Sequence, residues 1–178
     1  MFLESERVIL DYFAVGDEHL LYDLDSNPNV LKYVGTELSE LSDYVDIVAK
    51  HIAYYQSGAP GGFFKAILKE TNEFIGWFHF RPERTEPIDN QCLELGFRIK
   101  EEFWGKGYAT EVSKELIQKG FSELGAERVT AITYFENAGS SKVLTNVGLE
   151  YVGDMMYMDV YKLFKYELKK PSSNKNDS

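Results

Sequence analysis

Two glycines and a lysine stand immediately before a helix-forming run in Phe103-Trp104-Gly105-Lys106-Gly107-Tyr108-Ala109-Thr110-Glu111. Glycine lets the backbone turn its amides outward. The first turn of the following helix adds unpaired N–H groups and the positive end of a dipole. With Lys106 at its rim, the stretch suits a phosphate or pyrophosphate. Neither common phosphate loop fits. A P-loop needs a glycine where Lys100 stands and a serine or threonine where Gly107 stands. The dinucleotide fingerprint needs a third glycine where Thr110 stands. Taken alone, Gly-x-Gly also describes an ordinary helix-start turn.

Two further stretches carry reactive side chains. Upstream lies Glu94-Leu95-Gly96-Phe97-Arg98-Ile99, with a carboxylate in a strand-forming run. Downstream, residues 137–149 have the form Asn-x-x-Ser-x-x-Val-Leu-x-x-x-Gly-Leu, which places Asn137 and Ser140 at a helix start. Ser140 there reads either as a hydroxyl donor or as a helix N-cap. His79, in Phe78-His79-Phe80, reads as a packed histidine or as a base. His19 and His51 have helical positions and no closely spaced second histidine, so a metal site is unsupported. Cys92 is the single cysteine, which excludes an internal disulfide and a cysteine-rich metal site.

The surrounding pattern supplies elements to position these groups. Residues 6–13 read as a strand, 17–25 and 28–33 as short helices, and 39–56 as a longer helix. In that helix Leu41, Tyr44, Val45, Val48, Ile52 and Tyr55 recur at helical spacing, and Glu40 and Asp43 sit in the first turn, where the dipole favours acids. Residues 62–69 and 73–81 form a hairpin around Glu70-Thr71-Asn72, and a polar loop runs from Pro82 to Gln91. Cys92–Ile99 is a strand, 107–124 a helix with Ala109, Val112, Leu116 and Gly120 on one stripe, and Arg128–Thr133 a strand. Ala138–Asn146 is a short helix, followed by strands over 149–159 and 161–168. Strand, helix, strand in the middle predicts a mixed α/β fold with a parallel pair flanking the long helix.

At 178 residues, with 44% hydrophobic and 15% aromatic content, the chain has the material for one folded domain. Residues 1–170 are assigned to it, and the polar run 171–178 to a flexible tail. The net charge of −10 argues against nucleic acid as partner and favours cationic partners. No basic leader precedes an apolar segment and no apolar run is long enough to span a bilayer, so the expectation is a cytoplasmic protein without a membrane partner.

Taken together, the three stretches Glu94–Ile99, Trp104–Thr110 and Asn137–Leu149 resemble the GNAT family of acetyl-coenzyme A-dependent N-acetyltransferases, and most closely its RimJ/RimL-like branch. Leu3-Glu4-Ser5-Glu6-Arg7-Val8-Ile9-Leu10 is similar to that branch's first strand, so the likeness runs from about residue 3 to 168. It implies a central, mostly antiparallel sheet with one splayed parallel pair, flanked by helices. It also implies that acetyl-CoA lays its pyrophosphate on the amides of Trp104, Gly105, Lys106, Gly107, Tyr108, Ala109 and Thr110. Its pantetheine arm would run along Phe97, Arg98 and Ile99, with Asn137, Ser140 and Lys142 as further contacts.

The implied reaction moves an acetyl group directly from the thioester to a primary amine held in the same complex. An amine with pKa near 10.4 is protonated at neutral pH and needs a base, whereas a thiol near 8.5 leaves more easily. Many members use a tyrosine as acid in the helix after the Asn motif; Leu144 stands there and excludes it. In the RimL-like branch the Asn-x-x-Ser serine is the donor to sulfur, which Ser140 matches, with Asn137 orienting the arm or a water. Asp159 and Glu94 are the acidic candidates for the base and His79 a third. The acceptor stays open among protein N-termini, polyamines, amino acids and other small amines. So do homodimerisation and the alternative of a non-catalytic acyl-CoA-binding module.

Overall fold

The computed structural model describes residues 1–33, 40–157 and 161–172. Eight strands form one sheet: β1 (Leu3–Glu4), β2 (Val8–Tyr12), β3 (Gly62–Leu68), β4 (Glu73–Pro82), β5 (Cys92–Ile99), β6 (Arg128–Tyr134), β7 (Glu150–Tyr157) and β8 (Tyr161–Lys169). Their spatial order is β1-β2-β3-β4-β5-β6-β8-β7. Every neighbouring pair is antiparallel except β5 and β6. That exception follows from the connection, because α4 (Tyr108–Ser122) carries the chain back across the sheet between them. The fold is the expected mixed α/β sheet with a single parallel pair.

Alternation along the strands gives each face its own core. On one face Phe78, Phe80, Leu93, Leu95, Val129 and Ala131 pack against Val112 and Leu116 of α4 and Leu144 of α5 (Ala138–Asn146). Gly120 of α4 is needed for this approach, since a Cβ there would stand 2.7 Å from the Phe80 ring. On the other face α1 (Glu18–Asp25), α2 (Pro28–Leu31) and α3 (Leu41–Gln56) bury Leu21, Leu24, Val30, Tyr44 and Val48 against Phe13 and Phe74. These three helices cover the β2–β5 half of that face and leave Ile132 of β6 41% exposed.

Two expectations change. Leu41 and Val45 are exposed, because only the Tyr44–Val48 edge of α3 meets the sheet while Ile52 packs at its margin. The stretch Leu3–Leu10, similar to a single first strand, forms two, because Leu3 and Glu4 pair back onto Leu10 and Ile9. Of the two acids expected in the first turn of α3, Asp43 sits there, while Glu40 is the N-cap and its N–H donates to Asp43 Oδ2 at 3.2 Å.

Candidate active site

The parallel pair is short. Cys92, Leu93 and Glu94 pair with Arg128, Val129 and Thr130, and there the register ends. Beyond it β5 continues to Ile99, held on its other edge by β4, and β6 continues to Tyr134, held on its other edge by β8. The facing edges of residues 95–98 and 131–133 therefore open into a gap, where among the described residues no strand pairs with them across it, and an extended guest can bond there.

The glycine loop closes the wide end of that gap. A single 3₁₀ turn, Glu101–Phe103, follows β5, and the Trp104 indole Nε1–H donates to the Ile99 carbonyl at 2.7 Å, folding the turn back on the strand. Gly105 and Gly107 both take left-handed backbone conformations, at φ +72° and +85°, which only glycine adopts without strain. Nothing lies within 4 Å of where a Gly105 Cβ would be. Among the described residues, no acceptor takes the amide hydrogens of residues 105–110; the first to be used is that of Glu111, donated to the Gly107 carbonyl at 3.0 Å. Six adjacent unpaired amides at a helix start form a cradle for an anion.

The cradle is latched from the far edge of the sheet. Glu111 accepts from Ser5 Oγ at 2.7 Å, from the Arg7 N–H at 2.8 Å and from Arg7 Nε at 2.7 Å. Arg7 Nη1 donates to the Lys106 carbonyl at 3.1 Å, and its guanidinium lies 4.4 Å from the Tyr108 ring centroid. The Lys106 carbonyl is thereby turned away from the amide side of the loop. Burial pushes the Glu111 carboxyl up, but the bonds from Ser5 and Arg7 outweigh it and hold it below the usual carboxylate range.

α5 supplies the hydroxyl. Asn137 is its N-cap, accepting the Ser140 N–H on Oδ1 at 3.1 Å. Ser140 is therefore not the cap, and its hydroxyl has no protein partner among the described residues. The Asn137 amide nitrogen has no protein partner among the described residues and can donate to a guest. Leu144 is buried in the core, as befits a position that holds no acid. Lys142 is exposed on the same helix.

On the opposite face, Glu94 lies where the strands begin to part. It is 13% exposed, and its Oε1 accepts from Arg81 Nη2 at 2.9 Å. His79 Nε2 stands 3.1 Å from the same oxygen, without the alignment of a hydrogen bond. Oε2 has no protein partner among the described residues. Burial drives the Glu94 pKa up, yet His79, Arg81 and Arg84 bring it down overall, so the group is a carboxylate at neutral pH. Burial lowers the His79 pKa despite Glu94, leaving the imidazole neutral. His79 can lie across β5 because residue 96 is glycine; a Cβ there would be 2.4 Å from its ring.

The sequence candidates therefore separate. Phe97, Ile99, Trp104, Gly105, Lys106, Gly107, Tyr108, Ala109 and Thr110 belong to the β5 edge or to the loop and helix start that follow it, and Asn137 and Ser140 start the helix that follows β6. Arg98 contributes its backbone only; its side chain leaves the gap to pair with Asp25 of α1 at 2.5 Å and lies over Trp77. Asp159 is outside the described residues. Arg7 and Arg81, which bond the loop helix and Glu94, are contacts that sequence reasoning missed. Glu111, three residues into the helix after the loop, was the available signal for Arg7.

The sequence profile of the acetyltransferase (GNAT) domain matches residues 7–150. YoaA of Bacillus subtilis (strain 168), described as an uncharacterized N-acetyltransferase, is 28% identical over 154 residues, covering 85% of this chain and 84% of that one. The FsC-acetyl coenzyme A-N(2)-transacetylase of Aspergillus fumigatus is 30% identical over 149 residues, 80% of this chain but 63% of that longer protein. Among solved structures, RimL, a ribosomal L7/L12 α-N-protein acetyltransferase in complex with coenzyme A, superposes with a TM-score of 0.81 at 15% identity, covering 94% and 97% of the two chains. At that identity the superposition speaks to the fold alone.

Proposed function

The chain belongs to the GNAT acetyltransferase family, and we propose that it transfers an acetyl group from acetyl-CoA to a primary amine, both held at once. The observation that carries this reading is the β5–β6 gap opening onto the six unclaimed amides of residues 105–110. The residues present fit the coenzyme: an anion cradle with open space at Gly105, and two unpaired strand edges for an extended amide-bearing arm. Acetyl-CoA supplies an acyl group already activated as a thioester.

The chain's own groups divide the remaining work. Residues 105–110 hold the pyrophosphate, with Lys106 and Lys142 offering exposed cations at the rim. The β5 edge at Phe97, Arg98 and Ile99 aligns the arm by backbone bonding, so that orientation supplies much of the acceleration. The Ser140 hydroxyl, unspent in capping, donates a proton to the departing sulfur, and the Asn137 amide nitrogen orients the arm. This is the RimL-like assignment, and it is favoured over tyrosine chemistry because Leu144 occupies the alternative position.

Glu94 takes the amine's proton through its unpartnered Oε2, directly or by one water. Arg81 fixes its other oxygen by a hydrogen bond, with His79 packed beside it. Asp159 stays a second candidate for that role. The test is release of free thiol from acetyl-CoA on a panel of peptides, amino acid amides and polyamines. Amine-dependent release supports transfer. Stabilisation by acetyl-CoA without release on any amine would replace it with acyl-CoA binding alone.

A further inference from the structure

The short link between α1 and α2 grips both the strand and the turn that lead into the glycine loop. Its sequence, Asp25-Ser26-Asn27-Pro28-Asn29, stiffens it locally. Pro28 opens α2 and favours an extended residue before it, and Asn27 stands at φ −88° and ψ 116°. Asn27 Oδ1 accepts the Asn29 N–H at 2.9 Å as the cap of α2, which leaves its Nδ2 for another partner.

That partner is Glu101, the first residue of the 3₁₀ turn after β5. Asn27 Nδ2 donates to Glu101 Oε2 at 2.8 Å, and Asn29 Nδ2 donates to Oε1 at 2.9 Å and to Oε2 at 3.1 Å. The Glu101 carbonyl accepts the Trp104 N–H at 3.0 Å, and the Trp104 indole is tied back to Ile99. Glu101 is thus a handle on the turn from which the amide cradle continues. A carboxylate there opposes a bound anion by its charge. What it provides instead is an acceptor for three bonds from the helical layer. At the head of the link, Asp25 Oδ1 accepts from Arg98 Nη1 of β5 at 2.5 Å, and Oδ2 accepts from the Tyr44 hydroxyl of α3 at 3.2 Å.

We infer that Asp25, Asn27, Asn29 and Glu101 are positioning residues for the coenzyme. The α1–α2 link sets β5 at Arg98 and the glycine loop at Glu101, and an occupied loop stabilises the link in return. A loop set before binding spares the coenzyme the cost of ordering it. The effect runs both ways, because the same bonds join the two parts.

The inference rests on the acetyltransferase reading, so its test separates coenzyme binding by wild type from the effect of the variants. The three bonds at Glu101 are exposed, so changes there leave the core intact. Coenzyme A is titrated calorimetrically into wild type, Glu101→Gln, Asn27→Asp and the double variant. Glu101→Gln removes a negative charge near the cradle, so charge alone would tighten binding. The grip predicts the opposite, about two- to fivefold weaker binding, since an N–H₂ then meets Asn27 Nδ2. Asn27→Asp keeps the cap oxygen but sets a carboxylate oxygen against Glu101, and should weaken binding about three- to tenfold. Together the two substitutions reverse donor and acceptor across the same contact, so affinity should return to within about twofold of wild type. At saturating coenzyme A, amide exchange in residues 21–31 should slow in wild type and the double variant, but not in Asn27→Asp. Unchanged or tighter binding by Glu101→Gln, wild-type affinity or protection in Asn27→Asp, or a double variant no better than Asn27→Asp would each overturn the inference alone. No coenzyme A binding by wild type would overturn the coenzyme reading and the inference with it.

Discussion

Glu111→Gln isolates the latch between the first strands and the glycine loop. The carboxylate accepts three bonds, from Ser5 Oγ, the Arg7 N–H and Arg7 Nε. Glutamine keeps one acceptor oxygen and turns an N–H₂ toward a donor, so the Arg7 Nε bond is the one lost. A hydrogen bond to a charged group contributes about 1.5–3 kcal/mol. Arg7 is 42% exposed while Glu111 is 16% exposed, so solvent screening places the loss toward the low end, about 2 kcal/mol. For a chain of this size that lowers the melting temperature by about 4–8 °C.

The sign with pH is fixed by the depressed Glu111 pKa. Its contribution is present above the unfolded carboxylate value of about 4.3 and is lost as pH falls through the lower folded value. Urea denaturation of wild type and Glu111→Gln from pH 7 to 3.5 should show a gap that closes at the acid end. The freed loop must also be ordered on binding, which should raise the KM for acetyl-CoA about two- to tenfold with kcat little changed. Equal stabilities at pH 7, or a gap that persists unchanged at pH 3.5, would refute the latch.

Other expectations follow from the same geometry. Ser140→Ala should lower kcat about ten- to a hundredfold while the KM for acetyl-CoA stays near wild type; an unchanged kcat in steady-state assays would remove Ser140 from the chemistry. Arg81→Met takes away a cation that depresses the Glu94 pKa, so the acid limb of the kcat/KM profile should move to higher pH, and Glu94→Gln should abolish that limb. An acid limb identical in wild type and Glu94→Gln would pass the base role to another group. His51, stacked on Phe63 at 4.1 Å, has its pKa pushed by burial down to about 4. Because the unfolded state binds the proton first, stability should fall as pH drops from about 6.5 toward 4, and His51→Phe should flatten that slope in denaturation curves.

Much of this architecture was legible because local signals agreed with the tertiary solution. The hairpin around Glu70–Asn72, strand β5 and the helices after the glycine loop and Asn137 all stand within a residue or two of their expected bounds. Each is marked by alternation, glycine or capping chemistry. The loop was legible for the same reason, since Gly105 and Gly107 occupy backbone conformations that the sequence advertises by residue type.

What escaped depends on distance along the chain. Arg7 and Glu111 are 104 residues apart, and no local pattern links them. Arg81 meets Glu94 only through the antiparallel register of β4 and β5. Asn27 and Asn29 reach Glu101 across 74 and 72 residues, and meet it only in the fold. The exposure of Leu41 and Val45 was equally illegible, because helical periodicity gives a stripe but not how much of it the partner covers.

The most direct test is isothermal titration of acetyl-CoA into wild type and Gly107→Glu. Gly107 is the left-handed cap of α4 at φ +85°, and a Cβ there would stand 3.4 Å from Arg7 Nη2, so the glutamate strains the turn that shapes the amide cradle and competes for the arginine that holds it. Wild type should bind one acetyl-CoA per chain saturably, and a variant that still melts cooperatively should bind none. No binding to wild type at millimolar acetyl-CoA, or equal affinity in the folded variant, would contradict it.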